Sequence, residues 1–378
     1  MSSWRVTRLS TRCSQISRPV RRFSTEAPPV RVNSKRAAWI ALGVAGTATL
    51  AYAGYDAYTK WRNIFPPEVR ADLKLGIGAK HKGDLETSAY YKRKAWNTAI
   101  TRPIEEFNAE PYLKITGIAV DLAGELEDEG DFKEAFAVYR SALDLVRGRP
   151  PEQLLSGRER LRAVSLAVKL GQLAPACDIP VQEEEKILVW AVEEMLKLLV
   201  DTHAGAPLDF TRLNLPKWLT RTDICVPLQE LGDFYSRVGK MEYAVPLYLQ
   251  GISLLVSDDG VPANMCQGAQ LMNNVAELII RGDPTDEKQQ NAEFWAHKAL
   301  STLQHARQKT KEPIATCEQA LAVALFNAGM LRELAGDPQK ARSFFVSASK
   351  QSKSYGIEEA AKVAEEAIAR VDANAKPP

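Results

Sequence analysis

The stretch Leu231–Ile252, LGDFYSRVGKMEYAVPLYLQGI, decides the fold of this chain. Gly239 in its middle permits a tight turn with positive φ, which residues with a side chain rarely adopt. The residues on either side recur at helical spacing, so the stretch predicts two helices joined by a turn. The apolar, small and aromatic residues that would let the two helices pack closely are Leu231, Gly232, Tyr235, Ala244, Tyr248 and Gly251.

Four further stretches repeat this arrangement. They are residues 122–143, 328–348, 75–95 and, with a lengthened turn, 271–303. The shared spacing matches the tetratricopeptide pattern, in which L-G-x-x-Y in one helix precedes A-x-x-x-F/Y-x-x-A in the next. Two more helical segments, Arg158–Gly171 and Glu183–Asp201, are interpreted as a further, degenerate pair.

A stack of helix pairs is therefore the predicted fold. From Glu68 onward the chain lacks alternating strand-like runs. No single pair can bury its own apolar side, so neighbouring pairs must stack. We predict an all-α, tetratricopeptide-like helical-repeat solenoid over residues 71–357. Residues 202–223 form an insertion in it, because they are too long for a plain connection. Residues 358–378 are expected to form a polar capping helix and tail.

The N-terminus has the composition of a targeting signal. Residues 1–36 hold nine Arg or Lys and one acid, Glu26, whereas the rest of the chain is net acidic. Residues 1–23 are rich in Arg and Ser, which is typical of a mitochondrial transit peptide. The motif RRFST resembles a matrix-protease cleavage site, with cleavage between Phe23 and Ser24. A merely disordered basic tail is the alternative.

An uncharged apolar segment, residues 37–55, follows a linker at 24–36. Its nineteen residues would span about 28 Å as a helix, close to the thickness of a bilayer core. Lys35 and Arg36 precede it and tyrosines follow it, as at the ends of a membrane span. We predict a single transmembrane helix and a juxtamembrane segment at 56–70. The basic side would face the matrix, so the repeats would lie in the intermembrane space of mitochondria, anchored to the inner membrane.

No catalytic constellation is found in the sequence. It contains no phosphate-binding loop, nucleophile elbow or H-E-x-x-H motif, and no cofactor, metal or small-molecule substrate is expected. The histidines are interpreted as solvated: His81, His203, His297 and His305. A disulfide framework or zinc site is not expected, and the cysteines are interpreted as small buried apolar side chains: Cys13, Cys177, Cys225, Cys266 and Cys317.

The predicted function is binding of protein rather than catalysis. The first helices of successive tetratricopeptide pairs line a groove, and asparagine side chains there can hold an extended peptide backbone without selecting its sequence. Near-neutral net charge gives no indication of nucleic-acid binding. The residues predicted to face this groove are Asp121, Gln229, Glu230, Asp233, Asn273, Asn274 and Asn327.

The order of transit peptide, membrane span and tetratricopeptide repeats resembles the fungal mitochondrial inner-membrane adaptor of the i-AAA protease. The resemblance implies a non-enzymatic adaptor in protein quality control, which binds unfolded or misassembled proteins and presents them to that ATP-dependent protease. Its partners would be the protease complex and unfolded polypeptides. A scaffold for assembly of a respiratory complex and a mitochondrial import receptor are the alternatives, and an enzyme is the least favoured.

Overall fold

The computed structural model describes residues 64–202, 213–256, 260–281 and 285–374, and these residues form thirteen α-helices without a strand. Short 3₁₀ turns at Ile104–Phe107 and Ala174–Cys177 join some of them. The helices are α1 Pro67–His81, α2 Leu85–Thr101, α3 Pro111–Glu129, α4 Phe132–Arg147, α5 Gly157–Leu173, α6 Val181–Thr202, α7 Arg221–Arg237, α8 Met241–Leu255, α9 Pro262–Ile280, α10 Asp286–Gln308, α11 Ala315–Leu334, α12 Pro338–Ser354 and α13 Glu358–Asn374.

Local sequence signals start and stop these helices. The carboxylates of Asp84, Asp131 and Asp337 each accept a hydrogen bond from the backbone N–H three residues on, which caps α2, α4 and α12. Ser156 and Glu159 form a reciprocal capping box at the start of α5. Gly239 has a φ of 81° between α7 and α8, as the tight turn requires. The helix boundaries therefore follow from the residues themselves.

The helices pack as six antiparallel pairs followed by α13. Each second helix also contacts the first helix of the next pair, from α2 against α3 to α12 against α13. First helices of neighbouring pairs also contact each other directly. For example, α5 contacts α7, and α9 contacts α11. Among the described residues, no contact of comparable extent joins successive second helices. The first helices therefore form the inner layer of a curved, tetratricopeptide-like stack, and the second helices form the outer layer.

Glycine allows an aromatic ring to fill the space between paired helices. A Cβ added to Gly232 on α7 would lie 2.7 Å from Cε1 of Tyr248, and one added to Gly329 would lie 2.6 Å from Cε1 of Phe345. Both rings are essentially inaccessible to solvent. Tyr139 of α4 and Ala123 of α3 stand at the same offset and are both buried in one cluster, as the repeated spacing in the sequence predicts.

Gly232→Ala is expected to lower the free energy of unfolding by about 2 kcal/mol, because the added methyl group would overpack a ring that cannot move away. Urea denaturation followed by circular dichroism measures the change. Gly124→Ala on α3 is the matched control, since nothing lies within 4 Å of its added Cβ. That control should be neutral or stabilising by up to about 1 kcal/mol. Equal destabilisation by both changes would contradict the packing assignment.

The first repeat replaces the aromatic residue by a lysine. Lys92 of α2 is fully buried and lies beside Gly76 of α1. Its Nζ donates to Oε1 of Glu125 on α3, at 2.7 Å, and also pairs with Asp121. Ser88 donates to the other oxygen of Glu125 at 2.9 Å. A buried ion network therefore joins the first two pairs at the place where other pairs, such as α7–α8 and α11–α12, use an aromatic ring.

One expectation about the cysteines is wrong. Cys266 of α9 and Cys317 of α11 form a disulfide across 51 residues of sequence. The pair was not expected because the cysteines lack paired spacing, but two first helices that stack side by side bring distant residues together. Cys225 is a buried thiol, in agreement with the sequence interpretation, and burial raises its pKa to about 12. Cys177 is half-buried, and its thiol lies 3.2 Å from the carbonyl oxygen of Phe132.

Several sequence predictions fall outside the described residues. These include the transit peptide at 1–23, the linker at 24–36 and the proposed span at 37–55. Within the part of the chain that the structure describes, no helix is both long and apolar enough to cross a bilayer. The predicted insertion at 202–223 begins at the last residue of α6 and ends in the first turn of α7; residues 202 and 213–223 of it are described.

Candidate functional site: the inner face of the helical stack

The first helices place polar side chains side by side along the inner layer. Gln172 of α5 donates to Glu230 of α7 at 2.6 Å. Gln267 of α9 lies 3.5 Å from Gln229 of α7, and Thr222 of α7 donates to Asn264 at 3.3 Å. These contacts run from one pair to the next, so the inner face is one continuous surface rather than a set of separate pockets.

Side-chain amides dominate the central part of this surface. Gln267, Gln270 and Asn274 stand at i, i+3 and i+7 of α9, which places them on one side of the helix, and all three are partly exposed. We call the following residues the amide stripe: Gln229, Gln267, Gln270, Asn274 and Asn327. Because an amide both donates and accepts, the stripe can pair with the N–H and C=O groups of an extended backbone.

The groove residues predicted on α7 lie at this surface. Gln229 and Glu230 contact α9 and α5 respectively, as described above. Asp233 is half-buried and accepts a hydrogen bond from the hydroxyl of Tyr248. Asp233 therefore holds the buried ring of Tyr248 between α7 and α8, and it also lies on the inner face.

Asp121 of α3 is exposed and belongs to the buried ion network of the first two pairs. Its carboxylate pairs with Lys92 and lies 3.7 Å from Nζ of Lys80. The charge of Asp121 is therefore already compensated by two cations. A peptide bound there would meet a neutral surface rather than an acidic one.

The two neighbouring asparagines of α9 have different environments. Asn273 was predicted to face the groove, but it is only 2% exposed, and its Oδ1 has no hydrogen-bond partner among the described residues. It stands two turns after Cys266 on the same side of α9, the side bonded to α11. Asn274 is partly exposed on the amide stripe. Asn273 thus belongs to the packing between first helices and not to the exposed groove.

Asn327 of α11 is partly exposed and lies among apolar side chains. Val323, four residues before it on the same side of α11, is half-buried, whereas Met330, three residues after it, packs against the cluster around Phe345. This end of the inner face therefore combines an amide with an apolar surface. Such a combination suits a polypeptide that presents both backbone and apolar side chains.

Glu230 is the carboxylate of this surface with a strongly perturbed pKa. Burial and the neighbouring charges of Asp233 and Glu184 raise the pKa of Glu230 to about 7. The hydrogen bond from Gln172 and the positive charge of Lys169 act in the opposite direction. The ordinary pKa of a glutamate is about 4.3. Glu230 is therefore a carboxyl group that changes its charge near neutral pH within the groove.

A raised carboxyl pKa destabilises the folded state once the group ionises. The contribution of Glu230 to the free energy of unfolding is fully present below about pH 4.3 and is lost as the pH rises through about 7. We expect the free energy of unfolding to fall by on the order of 2 kcal/mol across this range, and Glu230→Gln to remove that fall. Urea unfolding at a series of pH values tests this. Glu242→Gln, an exposed change on α8, should leave the pH dependence unaltered.

Sequence reasoning missed part of the amide stripe. Gln267 and Gln270 were not predicted, although their spacing with Asn274 marks one side of a helix. The lengthened turn between α9 and α10 obscured the alignment of this repeat. A search for polar residues at i, i+3 and i+7 on each first helix could have found them.

Nothing in the described residues points to a catalytic or metal centre. Within the described ranges, no group of three or more His, Cys, Asp or Glu side chains is placed to hold a metal ion.

Comparison with solved structures shows the fold. The chain is similar to BtubC (BKLC) from P. vanneervenii, with a TM-score of 0.50 and 17% identity, over 72% of this chain and 92% of that chain. The S. pombe nuclear import adaptor Nro1 gives a TM-score of 0.44 and 12% identity, over 78% and 96% of the two chains. The TPR protein YrrB gives 0.31 and 17%, over 71% and 98%. No family model and no curated protein matches the sequence.

Proposed function

We propose that this protein is a non-enzymatic adaptor that binds extended, unfolded polypeptide along its inner face. The observation that carries the proposal is the amide stripe, which runs across the first helices of three successive pairs. Amides satisfy the backbone of any extended peptide, so binding would depend little on sequence. Unfolded segments are the polypeptides that present an unpaired backbone.

The groove also has features that suit apolar side chains. Val323, a half-buried residue, flanks Asn327 at the C-terminal part of the inner face. An unfolded protein exposes apolar side chains that would otherwise be in its core, and burying them against such a surface is favourable. The ion pairs around Asp121 leave the N-terminal part of the inner face without strong net charge.

The finer proposal is that the adaptor presents such substrates to the i-AAA protease of the mitochondrial inner membrane. Residues 1–23 would direct import, residues 37–55 would hold the chain in the inner membrane, and the repeats would lie in the intermembrane space. Support comes from the sequence resemblance and from a helical-repeat body that offers a binding surface. Protease protection in mitochondria with intact and ruptured outer membranes tests the location, and crosslinking in intact mitochondria tests the partner. Recovery of crosslinks to a respiratory assembly intermediate instead would favour the scaffold alternative.

The groove assignment predicts that Asn274→Ala combined with Asn327→Ala weakens binding of a permanently unfolded model polypeptide about tenfold. Each substitution removes hydrogen bonds that stabilise the complex by about 0.7 kcal/mol, so the two together cost about 1.4 kcal/mol, which is a factor of about ten. Fluorescence anisotropy with reduced, alkylated polypeptide measures the affinity, and thermal unfolding verifies the fold.

Asn97→Ala combined with Asn291→Ala is the matched control for this experiment. Both residues are exposed on second helices, which form the outer layer. The control should bind as the unaltered protein does. Equal affinities for the groove variant and the unaltered protein would remove the inner face as the binding site.

A further inference from the structure

The disulfide joins two helices of the inner layer rather than the two helices of one pair. Cys266 lies in the second turn of α9 and Cys317 in the first turn of α11, so the bond is near the start of both helices. Both cysteines are buried. Because α9 and α11 are both first helices of antiparallel pairs, they run in the same direction. The bond therefore fixes their spacing and their rotation at one level of the layer.

Counting from the bonded cysteines places two amides of the stripe on one side of this layer. At 3.6 residues per turn, Asn274 stands about 80° to one side of Cys266. Asn327 stands about 80° to the opposite side of Cys317. Because the two helices face each other through the cysteines, these opposite rotations turn both amides to the same side. Ala276, about 80° to the other side of Cys266, packs in a cluster with alanines of α10.

The same two amides lie at nearly one level along the two helices. Asn274 follows Cys266 by about 12 Å along the axis of α9, at 1.5 Å per residue. Asn327 follows Cys317 by about 15 Å along the axis of α11. The difference of about 3 Å is close to the length of one residue of an extended chain. One extended segment of bound polypeptide can therefore reach both amides.

Apart from the bond, the contact between α9 and α11 does little to fix their arrangement. Three buried residues that follow Cys317 on the side of α11 facing α9 are alanines, namely Ala320, Ala324 and Ala328. Asn273 lies on the side of α9 that faces α11, and its Oδ1 has no hydrogen-bond partner among the described residues. Small side chains do not interlock, so two helices that meet through them can shift past each other.

The contact between α9 and α7 is different, because hydrogen bonds hold it near both ends of α9. Thr222 of α7 donates to Asn264, near the start of α9, at 3.3 Å. Arg281, directly after α9, donates to the backbone carbonyl oxygen of Ser236 on α7 at 3.0 Å. The position of α9 on α7 is therefore fixed without the disulfide, whereas the position of α11 on α9 depends on it.

We propose that the Cys266–Cys317 disulfide positions Asn327 beside Asn274, so that both amides bind the same polypeptide segment and reduction of the bond removes the contribution of Asn327. The inference rests on the proposed binding of unfolded polypeptide along the inner face. The cysteines do not touch the polypeptide in this account. They act through the placement of α11, which carries Asn327, against α9.

Reduction of the full chain with dithiothreitol tests the inference. The bond between the sulfurs breaks, each sulfur gains one electron and one proton, and dithiothreitol becomes a cyclic disulfide. Reduced, alkylated polypeptide is the ligand, because it does not itself react with dithiothreitol. Titration of free thiols verifies complete reduction, and circular dichroism verifies that the protein remains folded. We expect reduction to weaken binding about threefold, which is the contribution expected of one amide.

A comparison of single variants in both redox states separates positioning from general loss of stability. In the disulfide-bonded protein, Asn327→Ala and Gln229→Ala should each weaken binding about threefold. In the reduced protein, Asn327→Ala should have no further effect, because its amide no longer reaches the bound segment. Gln229→Ala should keep its full effect, because Gln229 lies on α7, which the bond does not touch. Cys266→Ala with Cys317→Ala should behave as the reduced protein does and should not respond to dithiothreitol.

The other outcomes decide against one proposal or the other. Unchanged affinity after complete reduction, or a threefold effect of Asn327→Ala in both states, would overturn the positioning role. If reduction also abolished the effect of Gln229→Ala, the bond would act on the whole groove through stability, and the inference would again be wrong. Absence of binding by the disulfide-bonded protein would instead reject the proposed function, and this inference with it.

Discussion

Lys92→Met is expected to lower the free energy of unfolding by about 3 kcal/mol. The change removes the buried ammonium that pairs with Glu125, a carboxylate whose side chain is only 1% exposed. Lys80, at 3.0 Å from the same carboxylate, limits the loss, but about half of its side chain is exposed to solvent. Denaturant unfolding of the variant and the unaltered protein measures the difference. An unchanged midpoint would show that the network does not hold buried charge.

The double change Lys92→Met with Glu125→Leu distinguishes a lost ion pair from lost packing. Replacing both members of a buried pair by apolar groups of similar size is often neutral or stabilising. The double variant should therefore be more stable than Lys92→Met alone by about 2 kcal/mol or more. If it is instead less stable than the single variant, packing around Lys92 and not its charge explains the first result.

Reduction of the Cys266–Cys317 disulfide is expected to lower the free energy of unfolding by about 2–4 kcal/mol. The bond closes a loop of 51 residues, for which the loss of unfolded-chain entropy alone predicts about 4 kcal/mol. It links two first helices, α9 and α11, so its loss should loosen the last pairs before the first ones. Urea unfolding with and without dithiothreitol measures the total effect, and hydrogen exchange locates it.

Two variants control the reduction experiment. Cys266→Ala with Cys317→Ala should match the reduced protein and show no further response to dithiothreitol. Cys225→Ala should keep the full response, because that buried thiol does not belong to the disulfide. A response to dithiothreitol that persists in the first variant would contradict the assignment.

The repeat architecture could be predicted because its signals are local. Gly232 with Tyr248, and Gly329 with Phe345, stand at fixed offsets, and the structure shows each ring against its glycine. The degenerate pair, interpreted from Arg158–Gly171 and Glu183–Asp201, is present as α5 and α6. Leu188 of α6 there takes the place of the aromatic ring, next to Gly171. The helical period and the small residue therefore suffice to predict a helix pair even where the aromatic ring is absent.

The groove was only partly predictable because exposure depends on neighbours in space. Asn273 and Asn274 are adjacent in sequence, yet one faces α11 and is buried, and the other is partly exposed on the inner face. A rotation of about 100° per residue separates the two, and an alignment error of one residue exchanges them.

The sequence by itself determined that this chain forms helices, where most of them begin and end, and that they pair and stack. Those properties depend on hydrophobic period, caps and glycine turns within about forty residues. Only the tertiary structure decided that Lys92 replaces an aromatic ring inside an ion network, that Cys266 bonds Cys317, and which amides line the inner face. Each of these depends on which helix lies beside which, and residues far apart in the chain meet only after the pairs have stacked.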